Sequence, residues 1–190
     1  FQEFGGGIHE IGYAGEGFRF DNESPRHEVL LRDYALATRP VTNGEFLEFM
    51  ADGGYARAEL WLSDGWAAIN ANAIAAPLYW YRDGDAWYEY HLDGARPLCL
   101  AAPACHVTGY EAAAYARWAG ARLPTEPEWE VASSSLALTG NFVESGLLRP
   151  RADQDPEVGL HQVFGDVWEW TSSSYAPYPG FREFEGSLGE

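Results

Sequence analysis

Three Thr-x-x-Glu steps, Thr42–Glu45, Thr108–Glu111 and Thr125–Glu128, each stand at the head of an apolar run and set where helices start in this chain. The threonine hydroxyl accepts from the backbone N–H three residues on, and the glutamate reaches back to the threonine N–H. Two donors that a helix start leaves unsatisfied are thereby served together. The first helix carries Phe46, Leu47, Phe49 and Met50 on its apolar face and stops at Asp52-Gly53-Gly54. The second places Tyr110, Ala114, Tyr115 and Trp118 on one face and stops at Gly120. In the third, Pro127 falls in the first turn, where its missing N–H costs nothing. Glu126, Glu128 and Glu130 read as acids that cap this start and favour its dipole, with Arg122 pairing with one of them.

Between the helices the chain reads as short strands and turns. Residues 1–20 are glycine-rich with alternating Phe4, Ile8, Ile11 and Tyr13. A polar turn over residues 21–27 leads to a strand over 28–36 with Val29, Leu31 and Tyr34 facing inward. Residues 55–98 are expected to hold little regular helix. They crowd Trp61, Trp66, Trp80 and Trp87 among Asp-Gly pairs, with a hairpin of Tyr79–Arg82 and Trp87–His91. Residues 133–160 read as polar loop. No internal repeat or second domain boundary is visible.

The chain has 190 residues, 46% of them hydrophobic and 15% aromatic, enough for one domain with a real core. Eight tryptophans and 21 glycines point to a loop-rich fold held by large rings. The formal net charge is −17, and all twelve Lys and Arg positions are arginine. A nucleic-acid partner is excluded by the lack of a basic stripe, and lysine chemistry by the lack of lysine. No apolar run reaches the roughly 20 residues that span a bilayer. The opening Phe1-Gln2-Glu3 has no signal-peptide character and no Met, so the chain is expected to be cytoplasmic and to begin inside a longer polypeptide. Cys99 and Cys105 have no zinc spacing and read as ordinary small apolar residues.

The stretch Phe164-Gly165-Asp166-Val167-Trp168-Glu169-Trp170, followed by Tyr175-Ala176-Pro177-Tyr178-Pro179-Gly180, sets two tryptophans around one acid ahead of a tyrosine turn. Such a loop is expected to bury its rings and to give its acid a partner.

Pro40–Phe46, Ala119–Glu130 (containing Arg122-Leu123-Pro124-Thr125-Glu126-Pro127-Glu128-Trp129-Glu130) and Gly165–Trp170 resemble, in order and spacing, the formylglycine-generating enzyme, or sulfatase-modifying factor, family. The resemblance implies an irregular α+β fold related to C-type lectins, over residues 1–190. A narrower set resembles the C-terminal domain of the ergothioneine-pathway sulfoxide synthases, the hercynine oxygenases: Phe20–His27, Asp52–Tyr55, Trp61–Trp66, Pro77–Trp80 and Tyr175–Phe181. Those are non-haem Fe(II) enzymes that use O2 to join the sulfur of cysteine or γ-glutamylcysteine to the imidazole of hercynine, the trimethylated betaine of histidine.

In that family the iron is held by three histidines of an N-terminal DinB-like domain. His9, His27, His91, His106 and His161 lack facial-site spacing, so this chain is expected not to bind catalytic iron alone, and to be inactive alone. Residues 186–190 resemble the run before the family's final core segment, so the domain is expected to be truncated at its C-terminus. By resemblance, Tyr175 is the catalytic residue, giving a proton at the iron site and steering toward C–S bond formation. An unperturbed phenol is protonated at neutral pH. Tyr178 helps hold hercynine, its face suited to a trimethylammonium group. Asp166 and Glu169 are placed as ligands of a structural Ca2+, a metal that wants six to eight oxygens. Two other readings stay open: a formylglycine-generating-type cysteine oxidase, and a non-enzymatic lectin-like binding module.

Overall fold

The computed structural model describes residues 1–153 and 159–186. Ser187–Glu190, part of the run expected to precede a final core segment, lie outside the described residues. Among the described residues, seven short strands, all paired antiparallel, and four α-helices make an irregular α+β architecture. The chain divides into two compact units.

Unit one takes Phe1–Leu36, Pro124–Leu136 and Ser173–Glu190. Strand β1 (Gln2–Phe4) pairs with β4 (Tyr34–Leu36), and β2 (Gly7–Ile11) with β3 (His27–Leu31). The single strand expected over 28–36 is therefore two strands with different partners. Its break at Arg32-Asp33 is fixed where the Asp33 carboxylate accepts from the Gly6 N–H at 2.7 Å. Helix α4 (Glu126–Ser133) starts at the Thr125 capping box and packs on these strands. The Tyr34 hydroxyl donates to the Glu128 carbonyl at 2.8 Å, and Ile11, Leu31 and Ala132 are buried.

Unit two takes Ala37–Leu123 and Ala137–Ser172. Its core joins Phe46 and Phe49 of α1 (Asn43–Ala51), Leu60, Trp61, Ile69 of α2 (Ser63–Ala71), Trp80, Leu98 and Ala114 of α3 (Gly109–Trp118). Phe46, Phe49, Tyr115 and Trp118 form a continuous set of ring contacts at 5.3–5.9 Å. The Thr42 and Thr108 capping boxes form as the spacing predicts. Under α3, Glu111 is buried and accepts from the Tyr55 hydroxyl.

Helix α2 corrects the expectation of little helix over 55–98. It starts at Leu62 without a side-chain cap, and its Asp64-Gly65 pair has the composition of a turn. Gly65 is there for contact, since a Cβ would lie 2.6 Å from Tyr110 Cβ. Tyr110 accordingly lies on α2, partly exposed, rather than in the core. The expected hairpin forms as β5 (Trp80–Asp83) and β6 (Ala86–His91), and β7 (Gly94–Pro97) adds a third strand.

Candidate functional site

The loop Ser173–Phe181 in unit one is fixed at both ends. At its start the Glu126 N–H donates to Ser173 Oγ at 3.0 Å, tying the loop to the first turn of α4. At its end Tyr178-Pro179-Gly180-Phe181 closes a turn through the Phe181 N–H to the Tyr178 carbonyl at 2.9 Å. Proline second and a glycine at φ +81° third are what a type II turn requires.

Between these anchors both expected tyrosines line one cleft of about 680 Å3, together with Asn22, Glu23, Glu126, Trp129 and Glu130 among others. That size falls within the roughly 300–1,000 Å3 of small-molecule sites. Asn22 Nδ2 donates to the Tyr175 hydroxyl at 2.5 Å, and Tyr175 is otherwise largely exposed. The Tyr178 hydroxyl donates to Glu126 Oε1 at 2.9 Å, and its ring lies 4.5 Å from that of His27. Burial, then the bond to Glu126 and its charge, raise the Tyr178 pKa, so it stays a protonated phenol.

The carboxylates were not read from the sequence as site residues. The run Glu126-Pro127-Glu128-Trp129-Glu130 carried the signal, but only Glu128 serves mainly as a cap, accepting from the Thr125 N–H at 2.8 Å. Glu130 accepts from the Gly12 N–H at 2.6 Å and Glu23 from the Phe20 N–H at 2.7 Å, both at the cleft. Arg26, the one basic lining residue among the described residues, is paired with Glu10 at 3.3 Å. Three carboxylates and the rings of Tyr13, Trp129, Tyr175, Tyr178 and Phe181 make a cleft suited to an organic cation.

Asp166 and Glu169 lie in unit two, and Asp166 is a hub for N–H donors. Its Oδ1 accepts from Asn141 Nδ2 at 2.7 Å and the Arg151 N–H at 2.9 Å, and its Oδ2 from Gln162 Nε2 at 2.9 Å. Gly165, at φ +79°, lets this loop run against residue 141, where a Cβ would meet the Asn141 nitrogen at 2.7 Å. Calcium needs a shell of oxygens. Here donors surround the acid, and no group of three or more His, Cys, Asp or Glu able to hold a metal exists among the described residues. With its oxygens taken up by three N–H donors, the Asp166 carboxylate does not fit a calcium ligand. The expected burial of both tryptophans is also corrected. Trp168 is fully exposed, and Trp170 is half-exposed with its Nε1 donating to the Val107 carbonyl at 2.9 Å. Hydrogen bonds to Asp166, rather than ring burial, hold the loop.

His27 lies against the Tyr178 ring, and three further histidines make local contacts within unit two. His91 Nε2 lies 2.9 Å from Glu89, His161 Nδ1 3.8 Å from Asp153, and His106 edge-on to Tyr79. Burial, then the neighbouring His91, lower the His106 pKa. Cys99 and Cys105 are free thiols. Cys99 is exposed and lies just beyond the end of β7. Burial and Glu89 push the Cys105 thiol up to about 12. Among the described residues no helix is long and apolar enough to cross a membrane.

Comparison with known proteins places this geometry in a family. Residues 4–155 match the sulfatase-modifying factor enzyme 1-like domain. The chain is 37% identical to a hercynine oxygenase of Mycolicibacterium thermoresistibile over 90% of its own length and 42% of that protein's. It is 38% identical to the hercynine oxygenase of Mycolicibacterium smegmatis, over 85% of the chain and 42% of the relative. It is 33% identical to the formylglycine-generating enzyme of Streptomyces coelicolor, over 90% of the chain and 68% of the relative. The chain thus spans less than half the length of the hercynine oxygenases it matches. With its capped helices, short antiparallel strands and tyrosine loop, the chain belongs to the sulfatase-modifying factor enzyme 1-like family and is similar, over most of its length, to the hercynine oxygenases.

Proposed function

We propose that this chain is the substrate-binding, proton-donating part of a hercynine oxygenase that joins the sulfur of cysteine or γ-glutamylcysteine to hercynine in ergothioneine biosynthesis. The observation that carries the reading is the cleft in which Tyr175 and Tyr178 meet three carboxylates. A trimethylammonium group suits that mix of rings and negative charge, which stabilises a cation without requiring hydrogen bonds from it.

The overall reaction balances without an external reductant. The thiol S–H and an imidazole C–H bond break and a C–S bond forms. One oxygen atom of O2 ends on sulfur and the other leaves as water, the two substrates supplying all four electrons. Fe(II), held by a DinB-like domain of the same polypeptide, would supply the activation of O2. This chain's residues bind and orient. Tyr178, fixed by Glu126, presents its ring to the cation. Asn22 donates into the Tyr175 oxygen and so orients the phenol that would give its proton in the reaction. Pro177 and Pro179 stiffen the loop, so less entropy is lost in positioning the ring.

A cysteine oxidase that relies on a Cys105 thiolate is disfavoured, because burial pushes that thiol up to about 12. The test is O2 consumption by the complete protein with Fe(II), hercynine and each thiol. The reading expects hercynine-dependent consumption and a hercynine–thiol sulfoxide by mass spectrometry. Consumption that ignores hercynine with both thiols would contradict it.

A further inference from the structure

With 29 acidic and 12 basic residues, an arginine in this chain has carboxylates in excess. Arg26 pairs with Glu10, Arg39 with Glu45, Arg57 with Asp52 and Glu59, and Arg96 and Arg149 with Asp93. Arg19 and Arg182 do not. Neither has a carboxylate within ion-pair distance among the described residues, yet both line one cleft of unit one, about 400 Å3 in volume.

Arg19 is positioned by rings and a hydroxyl instead of an acid. Its guanidinium lies 5.6 Å from the Tyr13 ring centroid and 5.1 Å from that of Phe184, and its Nε donates to Ser24 Oγ at 3.4 Å. The two rings are themselves tied down. The Tyr13 hydroxyl accepts from the Gly17 N–H at 2.7 Å, and the Phe184 N–H donates to Asp21 Oδ2 at 3.1 Å. The positive charge is therefore held in place with no carboxylate at ion-pair distance among the described residues, which is the arrangement of an anion site. This cleft shares Tyr13, Ala14 and Arg26 with the acidic aromatic cleft that holds Tyr175 and Tyr178. A cation-binding and an anion-binding surface are thus continuous.

We propose that Arg19 and Arg182 form a carboxylate subsite, which takes the carboxylate of the amino-acid-derived zwitterion whose cationic nitrogen lies in the adjoining cleft. This deepens the functional reading above and rests on it. Hercynine and the thiol substrate both carry a carboxylate beside a cationic nitrogen, so the chemistry is shared and the test separates the two sources.

The test measures dissociation constants by calorimetry on the complete protein for hercynine, its descarboxy analogue N,N,N-trimethylhistamine, cysteine and cysteamine. Wild type is compared with Arg182→Ala and Arg182→Lys. Arg182 is exposed and has no side-chain hydrogen bond or ion pair among the described residues, so its loss is expected to leave folding intact. The expected result is that Arg182→Ala weakens one carboxylate ligand by about tenfold, the size of one charge-assisted contact, with its descarboxy partner unchanged. Arg182→Lys is expected to recover part of the loss. A change in the hercynine pair assigns the carboxylate to hercynine, and a change in the cysteine pair to the thiol. Either supports the subsite. Equal weakening of acid and descarboxy ligands, or no weakening of either acid, overturns the subsite while hercynine binding by wild type keeps the functional reading standing. Wild type that binds none of the four contradicts both.

Discussion

The Tyr178 hydroxyl donates to Glu126 Oε1 at 2.9 Å, joining a loop tyrosine to the first turn of α4 across 52 residues of sequence. The bond fixes the ring and keeps a carboxylate at the cleft, so one interaction both orients an aromatic face and supplies negative charge beside it.

Removing that charge while keeping the shape separates the two roles. Glu126→Gln leaves burial, the largest cause of the raised Tyr178 pKa, and removes the carboxylate's share. The Tyr178 phenol is expected to titrate lower than in wild type by NMR of labelled tyrosine. Hercynine affinity is expected to fall by about tenfold, as for the loss of one partly desolvated charge near a cation.

Asp166 is a structural acid on this account. Asp166→Ala leaves Asn141 Nδ2, Gln162 Nε2 and the Arg151 N–H without their shared acceptor. A loss of about 2 kcal/mol is expected, read from denaturant unfolding. Chelation by EDTA, or added calcium, is expected to leave the melting of the wild-type domain unchanged. A calcium-dependent rise in Tm would restore the metal reading of Asp166 and Glu169.

The legibility of the chain follows the range of the interactions. Helices α1, α3 and α4 were readable because a capping box closes within three residues, and Thr42, Thr108 and Thr125 each close one. Helix α2 was not, since it has no side-chain cap and is fixed by the approach of Gly65 to Tyr110. The tyrosines of the cleft were readable from their loop. Glu126 and Glu130 were read only as acids near a helix start, because their partners Tyr178 and Gly12 are 52 and 118 positions away. Trp168 was expected inside from its chemistry alone, whereas the backbone that carries it is organised by Asp166.

Acid stability tests the pairing of Arg39 with Glu45. The guanidinium bonds both carboxylate oxygens, at 2.8 and 2.9 Å, and holds the Glu45 pKa at about 2, down from 4.5. A depressed acid contributes stability that is present above its unfolded pKa and lost as pH falls through the folded one. Arg39→Met is expected to destabilise near neutrality by below about 1 kcal/mol, since both side chains are over a third exposed. The difference between mutant and wild type is expected to shrink as pH falls from 4.5 toward 2. Unfolding curves across that window check it.

In the proposed function, Tyr175 gives the proton that directs O2 chemistry to C–S bond formation. Tyr175→Phe removes one oxygen from a largely exposed ring and leaves the Tyr178–Glu126 bond in place. The most direct measurement is the product spectrum of the complete protein and this variant with Fe(II), O2, hercynine and cysteine or γ-glutamylcysteine. The sulfoxide is expected to fall by about a hundredfold, the usual contribution of a positioned acid, with thiol oxidation to sulfinic acid in its place. An undiminished yield of sulfoxide from Tyr175→Phe would contradict it.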